Sequence, residues 1–279
     1  MHMVKLLFIL AIGSFIGTLA VGCSSEPPHP KIIYKSLSEV PADTLKKLQK
    51  SSFFFGHQSV GKNILQGVEE LAADNPQINL KVVLMENPAE ISPGTLGHTR
   101  VGENTSPKMK IDEFQSWIED GIGKQADVAF LKLCYVDIDA DTDVAALFNH
   151  YHQTMTDLKA RFPEVRFIHF TAPLTVSKTS WKTRLKKLMG KTDLWEYNDN
   201  IKRNAYNTLL RETYQGKEPV FDIAAIEATG QDGQPVTFSL EGKTYYSLNP
   251  AYTPDGGHLN ELGRRQVADA LLALLASLS

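Results

Sequence analysis

The chain has 279 residues, 42% hydrophobic and 22% charged, which is enough apolar material for one sizeable core and sets it apart from disordered or fibrous chains. A formal net charge of -3 gives no overall pull toward polyanions, and no zinc-finger or aromatic RNA-binding signature is present, so nucleic acid is not an expected partner. Cys23 and Cys134 are the only cysteines, and Cys23 has a separate explanation, so no disulfide framework is expected.

In chain order the first segment reads as targeting sequence. Lys5 precedes an apolar stretch from Leu6 to Val21, and the polar run Ser24-Ser25-Glu26 follows abruptly, a pattern too short for a spanning helix. Leu19-Ala20-Val21-Gly22-Cys23 resembles a bacterial lipobox. The resemblance implies a signal peptide over 1–22 and a lipidated Cys23, with acyl chains as the only membrane contact; an uncleaved anchor or an ordinary secretory signal is the alternative reading. Ser24 after the cysteine, as in lipoproteins of Gram-negative bacteria, favours the outer membrane, at its periplasmic face or its surface. Pro27, Pro28 and Pro30 make a semi-rigid tether assigned to 23–44, and the folded domain, taken as 45–279, is expected to begin near Leu37 to Leu45. No internal repeat appears, and a monomer is expected.

Short apolar runs then alternate with helix-period segments. Strands are predicted at Ser52–Phe55, Leu80–Met85, Val128–Leu133, Val165–Thr171 and Val220–Ile223. Helices are predicted at Val60–Ala73, Ile111–Ile122, Val144–Phe162, Trp195–Tyr214 and Leu262–Leu278. This alternation predicts an α/β fold, a three-layer α/β/α sandwich around a flavodoxin-like, five-stranded parallel sheet. Two features interrupt it: Val236–Ser247, broken at Glu241-Gly242-Lys243, reads as an inserted β-hairpin, and Ser177–Lys191 is a basic insertion around Trp181. The insertion is either a solvated face or a lid that contacts acidic or acetylated sugars.

Ligands of open parallel sheets bind beyond the carboxyl ends of the strands. Ser59 follows the first predicted strand and Asp255-Gly256-Gly257-His258 follows the last, so both fall on that edge. A serine hydroxyl is a weak nucleophile until an imidazole takes its proton, and a carboxylate fixes the tautomer of that imidazole. Ser59 also fits as a cap for the helix beginning at Val60. His57 and Gln58 are candidate substrate contacts. His57 fits equally as a satisfied structural histidine, and the Gln58 amide fits as a support for its loop.

Asp255-Gly256-Gly257-His258-Leu259-Asn260-Glu261-Leu262-Gly263 resembles the last block of the SGNH/GDSL hydrolase superfamily, and His57-Gln58-Ser59 sits where that family has Gly-Asp-Ser. The resemblance implies an esterase or deacetylase fold with no metal and no cofactor, with Ser59 as nucleophile, His258 as base and Asp255 as its orienting acid. Of Gly94, Gly97 and Gly102, the last is favoured as the second-block glycine whose N–H enters the oxyanion hole. The third block departs from the pattern: Cys134-Tyr135-Val136-Asp137 lacks the family's asparagine. Replacement donors are the backbone N–H groups of Ser59 and Gly102, the Asn104 amide or the Tyr135 hydroxyl; Tyr135 fits equally as packing.

Other constellations carry less. Asp137, Asp139, Asp141 and Asp143 lack the glycine and glutamate of a calcium loop and read as a solvated loop whose last acids favour the following helix. His150 and His152 face different sides of a helix. Cys134 reads as a small core residue without a basic neighbour. The expected activity is a serine-dependent ester hydrolase acting on small-molecule or polysaccharide esters, with an acyltransferase using the same residues as a variant. The alternative from another class is a non-catalytic glycan-binding or scaffold lipoprotein on the same fold.

Overall fold

The computed structural model describes residues 36–88, 91–177 and 195–279; Cys23, Trp181 and most of the basic insertion lie outside the described residues. Six parallel strands, β1 (Ser52–His57), β2 (Lys81–Leu84), β3 (Thr95–Arg100), β4 (Val128–Leu131), β5 (Arg166–Phe170) and β6 (Val220–Phe221), form one sheet in the order β2-β3-β1-β4-β5-β6. The helices are α1 (Ala42–Leu45), α2 (Ser59–Asp74), α3 (Pro107–Glu119), α4 (Val144–Arg161), α5 (Trp195–Tyr214), α6 (Ile223–Ala228) and α7 (Glu261–Leu278).

The layers follow from the period-two alternation of strand side chains. Phe53 and Phe55 of β1 face α2, α6 and α7, whereas Phe54 faces α3 and α4 on the opposite side. Val128 and Phe130 against Ala129 and Leu131 repeat the division in β4. Both faces are therefore dry, which is why β1 is a continuous aromatic run. The hairpin is present as β7 (Thr237–Leu240) paired antiparallel with β8 (Lys243–Tyr246). The packed body reaches back to Leu37, which is buried and whose N–H donates to Asp269 on α7 at 3.0 Å, so the tether ends before 44.

Two expectations are corrected. The sheet has six strands rather than five, because Thr95–Arg100 pairs with β1 on one side and β2 on the other. Without β2 the order is the flavodoxin-like one; the expected second strand is a mostly exposed edge, and the unforeseen β3 sits beside β1. The second correction concerns β6, which ends at Phe221. Asp222 then caps α6 by accepting from Ala225 N–H, so Ile223 is helical.

Candidate active site

Ser59 is the first residue of α2, at the carboxyl end of β1. It does not cap the helix: Gln58 occupies that position, and the Ser59 hydroxyl instead lies 3.1 Å from His258 Nε2. The ring's other nitrogen, Nδ1, donates to Asp255 Oδ2 at 2.7 Å. That bond puts the proton on Nδ1 and leaves Nε2 as the acceptor for the Ser59 O–H, the tautomer proton abstraction requires.

The loop holding the acid is preorganised. Asp255 Oδ1 accepts from the N–H groups of Gly257 at 2.9 Å and His258 at 2.8 Å. The Gly257 donor, then the His258 side chain and backbone, hold the Asp255 carboxyl well below the ordinary carboxylate range, so it stays ionised. The loop is joined to the segment after β5 where Val176 N–H donates to Gly256 O at 2.9 Å, and to α2 where Leu259 N–H donates to Asn63 Oδ1 at 3.3 Å. Tyr135 packs edge-on against the imidazole with its hydroxyl 3.5 Å from Nδ1, and its ring fills the space a Cβ on Gly257 would occupy.

Two residues before Ser59 lies His57, 3% exposed. Its Nδ1 is 2.8 Å from the Gln58 carbonyl, which can only accept, so Nδ1 carries the proton. Nε2 then accepts from His98 Nδ1 at 3.0 Å. Burial pushes the His57 pKa down to about 3, which keeps this neutral arrangement in place. Gln58 Nε2 donates to the carbonyls of Val101 at 3.0 Å and Gly102 at 2.6 Å. Both ring nitrogens of His57 and the amide nitrogen of Gln58, residues expected among substrate contacts, are thus engaged within the protein.

The oxyanion expectation is corrected at Gly102. Its backbone is left-handed, with φ 54°, and its N–H donates to Glu113 Oε2 at 2.7 Å, so that donor is already committed. Asn104 accepts at its Oδ1 from Lys110 Nζ at 3.0 Å, which turns its amide oxygen inward and leaves the NH2 group to donate elsewhere. The Ser59 N–H, at the positive end of α2, has no partner among the described residues.

Three residues that sequence reasoning did not place shape this edge. Asp137 is no solvated acid: it is buried against Lys110 Nζ at 2.7 Å and also accepts from Cys134 N–H at 2.6 Å and Thr105 N–H at 2.9 Å, joining the loops after β3 and β4. Asp143 does cap α4. Arg203, nearly buried on α5, donates from Nε to the carbonyls of Tyr135 and Ile138 and from Nη1 to Thr175 Oγ1, fixing the Tyr135 loop against the segment beside Gly256. Lys132 is fully buried with Nζ 3.6 Å from Cys134 Sγ, so Cys134 does have a basic neighbour, although it is itself buried. Separations of 27 and 68 residues hid the first two pairings. Lys132, two positions before Cys134, was visible in the sequence as an unpaired cation on a buried strand. No cluster of three or more metal-ligating side chains occurs among the described residues, and no helix among them is long and apolar enough to cross a membrane.

No family model matches the sequence, and no curated relative does. Solved structures do match. A chain from Parabacteroides merdae named as a GDSL-like lipase aligns over 90% of this chain and 100% of its own, with a TM-score of 0.52 at 11% identity. A member of the lipolytic G-D-S-L family from Veillonella parvula covers 79% and 94% with a TM-score of 0.43 at 16% identity. A carbohydrate esterase family 3 structure from Talaromyces cellulolyticus covers 79% and 92% with a TM-score of 0.39 at 14% identity. The fold is that of SGNH/GDSL-like hydrolases.

Proposed function

We propose that this chain is a serine-dependent carboxylic ester hydrolase, with O-acetyl groups of cell-envelope or environmental polysaccharide as its substrates. The supporting observation is the run Asp255–His258–Ser59, with separations of 2.7 and 3.1 Å between reacting atoms, on the sheet edge where such folds bind ligands. His258 Nε2 takes the Ser59 proton as Oγ bonds to the ester carbon. The carbonyl oxygen becomes an oxyanion near the α2 N-terminus, where the Ser59 N–H is the unengaged donor. Collapse expels the alcohol with the proton from Nε2 and leaves an acyl group on Ser59. Water, deprotonated by the same nitrogen, then releases the acid and restores the hydroxyl. Lipidation of Cys23 would hold this domain at the outer membrane of the cell envelope.

A binding role without catalysis is favoured by one observation, the commitment of the Gly102 N–H to Glu113 where a second oxyanion donor was expected. One experiment separates the readings. Turnover of p-nitrophenyl acetate should fall on the order of 10³-fold or more in Ser59→Ala, and a fluorophosphonate should label Ser59 in the unsubstituted protein. Equal rates and no adduct would leave the binder.

A further inference from the structure

A pocket of about 710 Å³ lies between α2 and the β2–β3 edge, with Ser59 absent from its walls. Leu65 from α2 and Val82, Leu84 and Met85 from β2 and its end make it apolar, and Leu84 is 60% exposed. Its length follows the helix. Lys62 stands one turn after Ser59 and Glu69 two turns further, roughly 10 Å along the axis and room for about eight methylene units.

Its charges are not evenly spread. Arg100 pairs in register with His57 at the end of β3, and Lys62 opens α2, so both cations stand at the end nearest the nucleophile. Neither has an ion pair or side-chain hydrogen bond among the described residues. His98 also lines the pocket, with Nδ1 committed to His57 and Nε2 without a partner among the described residues. Glu86 shares that end and Glu69 marks the far one, and neither reaches within ion-pair distance of the two cations.

We propose that this pocket is a binding site for a single-chain anionic amphiphile, with an alkyl chain along Leu65, Val82, Leu84 and Met85 and a carboxylate or phosphate head between Lys62 and Arg100. A ligand-sized, largely apolar cleft with a few convergent polar groups is the usual form of such a site. Two unpaired cations beside an apolar wall select a charged head over a neutral one. The site goes beyond the esterase reading: Ser59 is not among its walls, so the amphiphile is a ligand held beside the ester site rather than the ester that is cleaved.

The test is calorimetric titration of the purified full chain with decanoate, hexanoate, decyl phosphate and the neutral decyl maltoside. Lys62→Gln combined with Arg100→Gln should weaken decanoate and decyl phosphate by at least about tenfold and leave decyl maltoside unchanged. Each methylene lost between decanoate and hexanoate should weaken binding roughly fourfold. The relative affinity of the two anions shows which head the site prefers. Both side chains are exposed, so an unchanged melting temperature verifies folding, and the single substitutions carry the test if the double variant is impaired. Decanoate affinity unaltered by charge removal, insensitivity to chain length, or no binding at all would overturn the proposal. Binding is not hydrolysis: charge-dependent decanoate binding in Ser59→Ala, beside absent ester turnover in the parent, would remove the esterase reading and keep the site.

Discussion

Gly61→Ala sets helix propensity against packing, and the two disagree in sign. Alanine in a helix interior is ordinarily favoured over glycine by about 1 kcal/mol. A Cβ on Gly61, however, would sit 2.4 Å from His57 Cβ, 2.5 Å from Cγ and 2.6 Å from Nδ1. His57 is buried and tied at both nitrogens, to the Gln58 carbonyl and to His98, so its ring has little freedom to retreat. Overpacking of this kind costs about 1–3 kcal/mol, enough to cancel or reverse the propensity gain. The other route of relief lifts the first turn of α2, which carries Ser59. A shift of about 0.5 Å would open the 3.1 Å contact with His258 past hydrogen-bond range, and misplacements near 1 Å cost on the order of 10²-fold in rate. The expected variant is no more stable than its parent, and less stable in urea by up to about 2 kcal/mol, with p-nitrophenyl acetate kcat down at least about tenfold and KM little changed. A variant more stable than its parent with full kcat would refute the reasoning.

Two further predictions concern buried charge. Glu227 is fully buried with Oε2 unpartnered, and burial raises its pKa from 4.5 to about 8. The unfolded chain therefore releases this proton above about 4.5 while the fold holds it, so stability falls as pH rises through that window, by up to about 1.4 kcal/mol per pH unit. Glu227→Gln cannot ionise, and its urea midpoint should gain on the parent's steadily between pH 5 and 8; parallel profiles would show that the acid is not held neutral. Lys110→Met leaves Asp137 buried with only backbone N–H partners and should destabilise by about 3–5 kcal/mol. Adding Asp137→Leu should recover little, because the N–H groups of Cys134 and Thr105 then lose their acceptor; full recovery in thermal melts would count against that role.

What the sequence displays depends on how local the physics is. β1 is legible because both sheet faces are dry there and its residues read Phe53-Phe54-Phe55 without interruption. Asp255 and His258 are legible because acid and base lie three residues apart and bond within one loop. β3 is illegible for a physical reason. A Cβ on Gly97 would lie 2.5 Å from Met85 Sδ, His98 is directed to His57, and Arg100 is exposed at the pocket, so the strand carries almost none of the apolar alternation that marks its neighbours. Gly102 misleads because a left-handed glycine after a strand invites a donor role, whereas Glu113, eleven residues on, takes the N–H.

Cys134-Tyr135-Val136-Asp137 offers no asparagine donor and the Gly102 N–H is engaged, which together change the electrostatics expected of the proposed transition state. One oxyanion donor is worth roughly 2.7–4 kcal/mol, so a site relying on the Ser59 N–H and the helix terminus alone would run far below a fully equipped one. Glu113 need not keep its partner, since it sits half-buried on α3 and faces solvent as well as Gly102. Glu113→Gln would exchange a charged acceptor for a neutral one and loosen its hold on that N–H. If Gly102 donates to the oxyanion once Glu113 yields, kcat on p-nitrophenyl acetate should rise severalfold in Glu113→Gln, with the Ser59 adduct forming faster in parallel. If α2 alone carries the charge, both rates should stay where they are, and the site would lack a second donor rather than hold a masked one.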